Sequence, residues 1–141
     1  MKKKEIVLVG LAPANCTFHS PAQVQKLFFL IDRNIATNVG GPHFDFQPYN
    51  YGPFDKAVYE VLEELEKDGL VEIVPFHTWK EYRLTENGQV EGNRLLNALP
   101  ERVKDYINKV SEFVKKLTFA QLVSAIYEAY PEMRANSVFQ G

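Results

Sequence analysis

Residues 49–83 read YNYGPFDKAVYEVLEELEKDGLVEIVPFHTWKEYR, and this stretch decides the fold. Tyr51-Gly52-Pro53 turns the chain into a helix. The helix's apolar residues, Phe54, Ala57, Val58, Val61, Leu62 and Leu65, recur at the 3.6-residue spacing of one buried face. Asp68-Gly69 closes it, because glycine takes the left-handed position beyond a helix end without a Cβ clash. Leu70 to Val74 and Glu81 to Leu84 then alternate or cluster as paired strands, with Pro75 to Lys80 as the tip between them. Helix, glycine, strand, hairpin, strand is the second half of a winged helix. The expected fold is therefore mainly α (α+β), a winged helix-turn-helix core with a small β-hairpin wing.

Upstream, Lys3 to Leu11 reads as a short helix ended by Pro13, and Asn15 to His19 as a loop. Ser20-Pro21-Ala22-Gln23 is a strong helix start: serine as N-cap, proline at the first position, glutamine to complete a capping box. The helix that follows buries Val24, Leu27, Phe28, Ile31 and Ile35 and ends near Asn38, before Gly40-Gly41-Pro42. His43 to Tyr49 alternates aromatic and polar residues and reads as a short strand or an extended edge, since Pro48 cannot donate to a central ladder.

Downstream, Thr85 to Gly88 is a turn or a fresh helix start, and Gln89 to Leu99 is weakly helical around Gly92. Pro100 opens a long helix with Val103, Tyr106, Ile107, Val110, Phe113, Val114 and Leu117 on one face. Thr118 and Gln121 form a second capping box. The helix behind it turns Phe119, Leu122, Val123, Ile126, Tyr127 and Tyr130 inward and stops at Pro131. The tail from Glu132 to Gly141 is expected to be loosely held. Residues 1–99 thus form the winged-helix-like core, and 100–141 a C-terminal helical hairpin packed onto the same single domain.

The chain has 141 residues, a formal charge of −2 and one cysteine, Cys16, which excludes an intrachain disulfide and fits a reducing compartment. No apolar run approaches the roughly 18 residues of a membrane span. The opening MKKKEIVLVGLAPA superficially resembles a signal peptide, but its apolar core is too short and Glu5 interrupts the positive segment. A cytoplasmic location is expected.

Chemistry is sparse. His19, His43 and His77 are scattered, with no pair at helical ligand spacing and no cysteine partner set, so no metal site is expected. No phosphate-binding glycine loop or nucleophile motif occurs, and neither catalytic residues nor cofactors are expected. DNA binding, the familiar task of a winged helix, meets an electrostatic objection. Phe54 to Asp68 carries six acids against Lys56 and Lys67, a net of −4 on the helix that would face phosphates. Lys80 and Arg83 on the wing, with Arg102, Lys109 and other basic residues of the long helix, are the alternative nucleic-acid surface. Mixed with Glu101, Asp105 and Glu112, the helix lysines read more simply as a solvated face.

Aromatic residues give the better clue. Phe44, Phe46, Tyr49, Tyr51 and Phe54 crowd together, and large aromatics are burial units. Trp79, in the HTWK of the wing tip, is either an interface anchor or folded back on the C-terminal helices.

Three segments together resemble the Panacea (SocA-like) family, which groups antitoxin-type and phage-associated domains with YwgA-like winged-helix proteins. They are VQKLFFLID (24–32), FDFQPYNYGPFDKAVYEVLEELEKDGLV (44–71) and YRLTENG (82–88). The marks of the resemblance are Gln25-Lys26-Leu27, Tyr51-Gly52-Pro53, Gly69-Leu70-Val71 and Tyr82-Arg83-Leu84-Thr85-Glu86-Asn87-Gly88. The resemblance implies a non-enzymatic domain. Antitoxin members bind and neutralise a partner toxin, and one member is an adaptor to a protease. The expected partner is accordingly a toxin-like protein, met by Lys56, Tyr59, Glu60 and Glu63 on the central helix and by Trp79. DNA binding as a dimer is the alternative.

Overall fold

The computed structural model describes residues 1–140 and is mainly helical, with two small antiparallel sheets. Helix α1 spans Lys3–Leu11 and α2 Pro21–Ile35; strands β1 (Gln47–Tyr49) and β2 (Gly52–Phe54) precede α3 (Ala57–Lys67). Strands β3 (Val71–Phe76) and β4 (Trp79–Leu84) follow, then α4 (Glu86–Asn97), α5 (Glu101–Lys116) and α6 (Phe119–Ala129).

Both capping boxes are built. Ser20 Oγ accepts from Gln23 N while Gln23 Oε1 accepts from Ser20 N, and Thr118 and Gln121 repeat the exchange. The apolar stripe of α3 is buried at Val58, Val61, Leu62 and Leu65. One hydrophobic cluster takes in α1, α2, α3, the β3–β4 hairpin, α5 and α6, with Ile6, Leu27, Leu62, Leu84, Ile107 and Leu122 among its fully buried side chains. The loop before α2 contributes a strand-like contact: His19 N donates to Tyr82 O at 2.7 Å and Tyr82 N to His19 O at 3.0 Å.

Several expectations need correction. The chain does not simply turn at Tyr51-Gly52-Pro53; Gly52–Phe54 is a strand, paired with Gln47–Tyr49 across a two-residue turn. Pro48 and Pro53 stand opposite each other in that ladder, where alternate pairs exchange no hydrogen bonds and a missing N–H costs nothing. The β3–β4 ladder runs on to Phe76↔Trp79, so the expected tip from Pro75 to Lys80 shrinks to His77-Thr78. His77 adopts φ 57° to close it, and the Phe76 and Trp79 rings meet at 5.4 Å across the end.

Of the two readings of Thr85 to Gly88 the helix start holds: α4 begins at Glu86, and Thr85 Oγ1 accepts from Gly88 N at 3.0 Å. Gly88 is needed there: a Cβ would stand 1.9 Å from Leu70 O. Phe119 does not face inward. It is the first residue of α6 and remains 48% exposed. Nor is the tail loose as far as it is described. Met133 is buried, Asn136 Nδ2 donates to Pro48 O at 3.1 Å, and Val138 N donates to Asn50 O at 2.9 Å. Gly141 lies outside the described residues.

Candidate protein-docking site

The capped start of α2 leaves Pro21 and Ala22 at the surface, with Lys26 one turn further on the same face. Gln25 ties the β2–α3 junction to this face: its Nε2 donates to Asp55 O and its Oε1 accepts from Asp55 N, both at 3.0 Å. The β1–β2 hairpin is thereby held over Lys26. Gly52, at φ 109°, passes the lysine so closely that its missing Cβ would lie 3.6 Å from Lys26 Cε.

A chain of aromatic rings spreads from the hairpin. Tyr49 meets Phe54 at 4.9 Å, Phe54 meets Tyr59 at 5.9 Å, and Tyr59 stacks on Tyr82 at 5.8 Å with an interplanar angle of 10°. On the other side Tyr51 meets Phe119 edge-on at 5.1 Å. Tyr49, Tyr51, Phe76, Trp79 and Phe119 are each more than 40% exposed, an unusual concentration of large exposed aromatics.

Two adjoining concavities lie along this surface and share Pro21, Ala22, Tyr51 and Phe119 as lining. One, of about 250 Å³, has Lys26, Phe54 and Tyr59 in its walls; the other, of about 630 Å³, has Trp79 and Glu81. A separate concavity of about 470 Å³ between α2, α5 and α6 holds Asn34, Tyr106 and Tyr130. There Asn34 Nδ2 donates to both tyrosine hydroxyls, at 2.8 and 3.0 Å, so these three side chains satisfy one another.

Burial sets the electrostatics. It pulls the Lys26 ammonium down to about 8 from the usual lysine value. It raises the Tyr59 phenol, against an opposing hydrogen bond from Gln25. Tyr82 is pushed up to about 12, first by burial and then by the nearby Tyr59 and Glu63. His19 is driven down to about 3, chiefly by burial and then by the charge of Lys115, and so is neutral. Among the described residues no three His, Cys, Asp or Glu side chains converge as a metal-binding group.

The sequence-derived residues fall into three places. Tyr59 and Trp79 line the two adjoining concavities; Lys56, just before α3, and Glu60 and Glu63 on the helix are exposed and line neither. Trp79 does not fold back under the helices: it is 41% exposed, and its Nε1 donates to Glu81 Oε2 at 2.9 Å. The alternative basic residues do not converge. Arg83 is committed to Glu72, at 2.5 Å, and lies over the Phe18 ring at 4.5 Å. Lys80 points from the opposite face of β4, and Lys109 lines the separate α2–α5–α6 concavity. Arg102 is exposed in the first turn of α5. Sequence reasoning missed Lys26 and the exposure of Phe119. The available signal was a lysine embedded in the run from Val24 to Ile31, where a solvated cation does not belong.

A family model described as antitoxin SocA-like, Panacea domain, matches residues 24–131, from within α2 to just past the end of α6. No curated protein and no solved structure matches the chain.

Proposed function

The chain belongs to the antitoxin SocA-like Panacea domain family, and we propose that it is a non-enzymatic, protein-binding domain that sequesters or presents a toxin-like partner in the cytoplasm. The observation that carries this reading is the contiguous exposed aromatic face from Tyr49 and Tyr51 through Phe119 to Trp79. Aromatic side chains over shallow concavities supply large contact area at small conformational cost, which is the composition of interface anchors. The acidic surface of α3, with Lys56, Glu60 and Glu63, borders the face through Tyr59 and steers a basic partner toward it.

The winged-helix reading belongs to the same proposal. Its support is the order α1, the His19–Tyr82 bridge, α2, α3 and the β3–β4 hairpin. In that fold α3 is the recognition helix, and its net charge of −4 between Phe54 and Asp68 turns it from phosphate toward protein. DNA binding is disfavoured further by Arg83, whose guanidinium is already paired and stacked.

The test is affinity capture of the tagged chain from its native lysate after nuclease treatment, followed by mass spectrometry. A stoichiometric protein that is retained by the wild type and lost with Trp79→Ala and Phe119→Ala supports the proposal. Recovery of nucleic acid alone, or of nothing but a second copy of this chain, overturns it.

A further inference from the structure

The aromatic face contains one charged group that none of the described residues neutralises. Lys26 is 3% exposed, yet it lines the smaller concavity with its Nζ 3.8 Å from where a Gly52 Cβ would stand. The walls are Tyr49, Tyr51, Phe54, Tyr59 and Phe119, and no acidic residue lines the space. Among the described residues no ion pair reaches the ammonium. Burial is the cause of its lowered proton affinity. The amide of Gln25 is occupied by Asp55. Beside the same Gly52, the Tyr127 ring comes within 3.6 Å of that Cβ position, and its buried hydroxyl has no hydrogen-bond partner among the described residues.

A buried cation with no counter-charge is costly unless a partner arrives to pair with it. At neutral pH the ammonium form of Lys26 still dominates, so the missing complement is an anion. The surroundings narrow its class. Phosphate sites gather several strong donors, commonly arginine forks or backbone N–H groups, whereas here a single cation stands among tyrosine and phenylalanine rings, with only the neutral amides of Gln25 and Asn50 beside it. One carboxylate flanked by apolar groups fits that arrangement. We propose that Lys26 pairs with the side-chain carboxylate of an Asp or Glu in an extended segment of the protein partner, while Tyr49, Tyr51 and Phe119 grip the apolar residues beside it. This inference rests on the protein-docking reading above and names what the partner presents.

The test uses the full chain and a random heptapeptide library displayed on phage by its C-terminus, so that no peptide offers a free terminal carboxylate. The proposal expects enriched peptides with Asp or Glu at one fixed position next to aromatic or aliphatic residues. Synthesised with an amidated end, such a peptide should lose about ten- to hundredfold in affinity when its acid becomes the amide, or when the protein carries Lys26→Met. Combining both changes should cost no more than either alone. Lys26→Met keeps the length and packing of the side chain, and an unchanged circular-dichroism spectrum checks its fold; Lys26→Arg, which keeps the charge, is the second variant and should bind better than Lys26→Met.

Enriched peptides that lack an acid, or that bind Lys26→Met as tightly as the wild type, overturn the inference. If such peptides still depend on Trp79 and Phe119, the docking face survives without it. No enrichment at all, displacement of the peptide by millimolar inorganic phosphate alone, or equal binding by an acid-free peptide with a free C-terminus also overturns it. The lysate capture decides the broader reading separately.

Discussion

Replacing Lys26 by methionine removes a charge from a site 3% exposed while keeping the length of the side chain, so its effect on stability can be worked out beforehand. In the unfolded chain the lysine holds its proton up to its ordinary value of 10.5; in the fold, burial lowers this to about 8. The folded state therefore binds the proton less tightly, and the difference of about 2.5 pH units corresponds to about 3 kcal/mol. The sign follows from which state holds more protons. Below pH 8 the lysine is charged in both states and the full penalty acts against folding. Between about 8 and 10.5 the unfolded state holds more proton, so stability rises with pH and the penalty fades.

Lys26→Met should thus be more stable than the wild type by about 3 kcal/mol at pH 6–7, and the gain should shrink to near zero by pH 10.5. Urea unfolding of both proteins at intervals from pH 6 to 10.5 measures it. The difference between them cancels other groups that titrate in this range. A variant less stable than the wild type, or a gain that does not change with pH, would refute the reasoning, because either means that the ammonium is not desolvated as described.

Other outcomes follow from the same geometry. Acidification from pH 6.5 toward 3 should destabilise the wild type, because His19 is protonated in the unfolded chain but kept neutral in the fold by burial, with the charge of Lys115 adding to it; His19→Phe should flatten this slope in pH-dependent urea melts. Gly88→Ala should cost about 3 kcal/mol or more in thermal unfolding, since the added Cβ falls 1.9 Å from the rigid Leu70 carbonyl. Trp79→Ala should leave stability within about 1 kcal/mol but weaken partner capture by about 2 kcal/mol or more, while Lys80→Ala leaves capture unchanged.

Much of the fold was written locally. The Ser20–Gln23 and Thr118–Gln121 boxes fix two helix starts from four-residue signals, and the stripe from Val58 to Leu65 fixes the inner face of α3. What escaped depends on contacts between distant residues. Periodicity placed Phe119 on the apolar side of its helix, but its position in the first turn leaves it beyond the layer that covers Leu122 and Ile126. The β1–β2 hairpin was hidden by two prolines that are harmless because they share a pair that exchanges no hydrogen bonds. Lys26 could be seen in an apolar run; that Gly52 would cross it and bury its stem depends on the Gln25–Asp55 clamp, formed across 30 residues of chain.

The strap from the tail to the hairpin also bears on the order of events in folding. Asn136 bonds Pro48 across 88 residues of sequence, and Val138 bonds Asn50 beside it. Such distant closures follow the local helices and the β3–β4 ribbon, because the intervening chain must first be compacted. The turn bearing Tyr49 and Tyr51 is therefore among the last parts to acquire its final shape. Weakening the strap, as with Asn136→Ala, should quicken unfolding in stopped-flow chevrons and leave the refolding limb in place. The edge of the docking face would then be governed by how fast the chain lets go of its own tail.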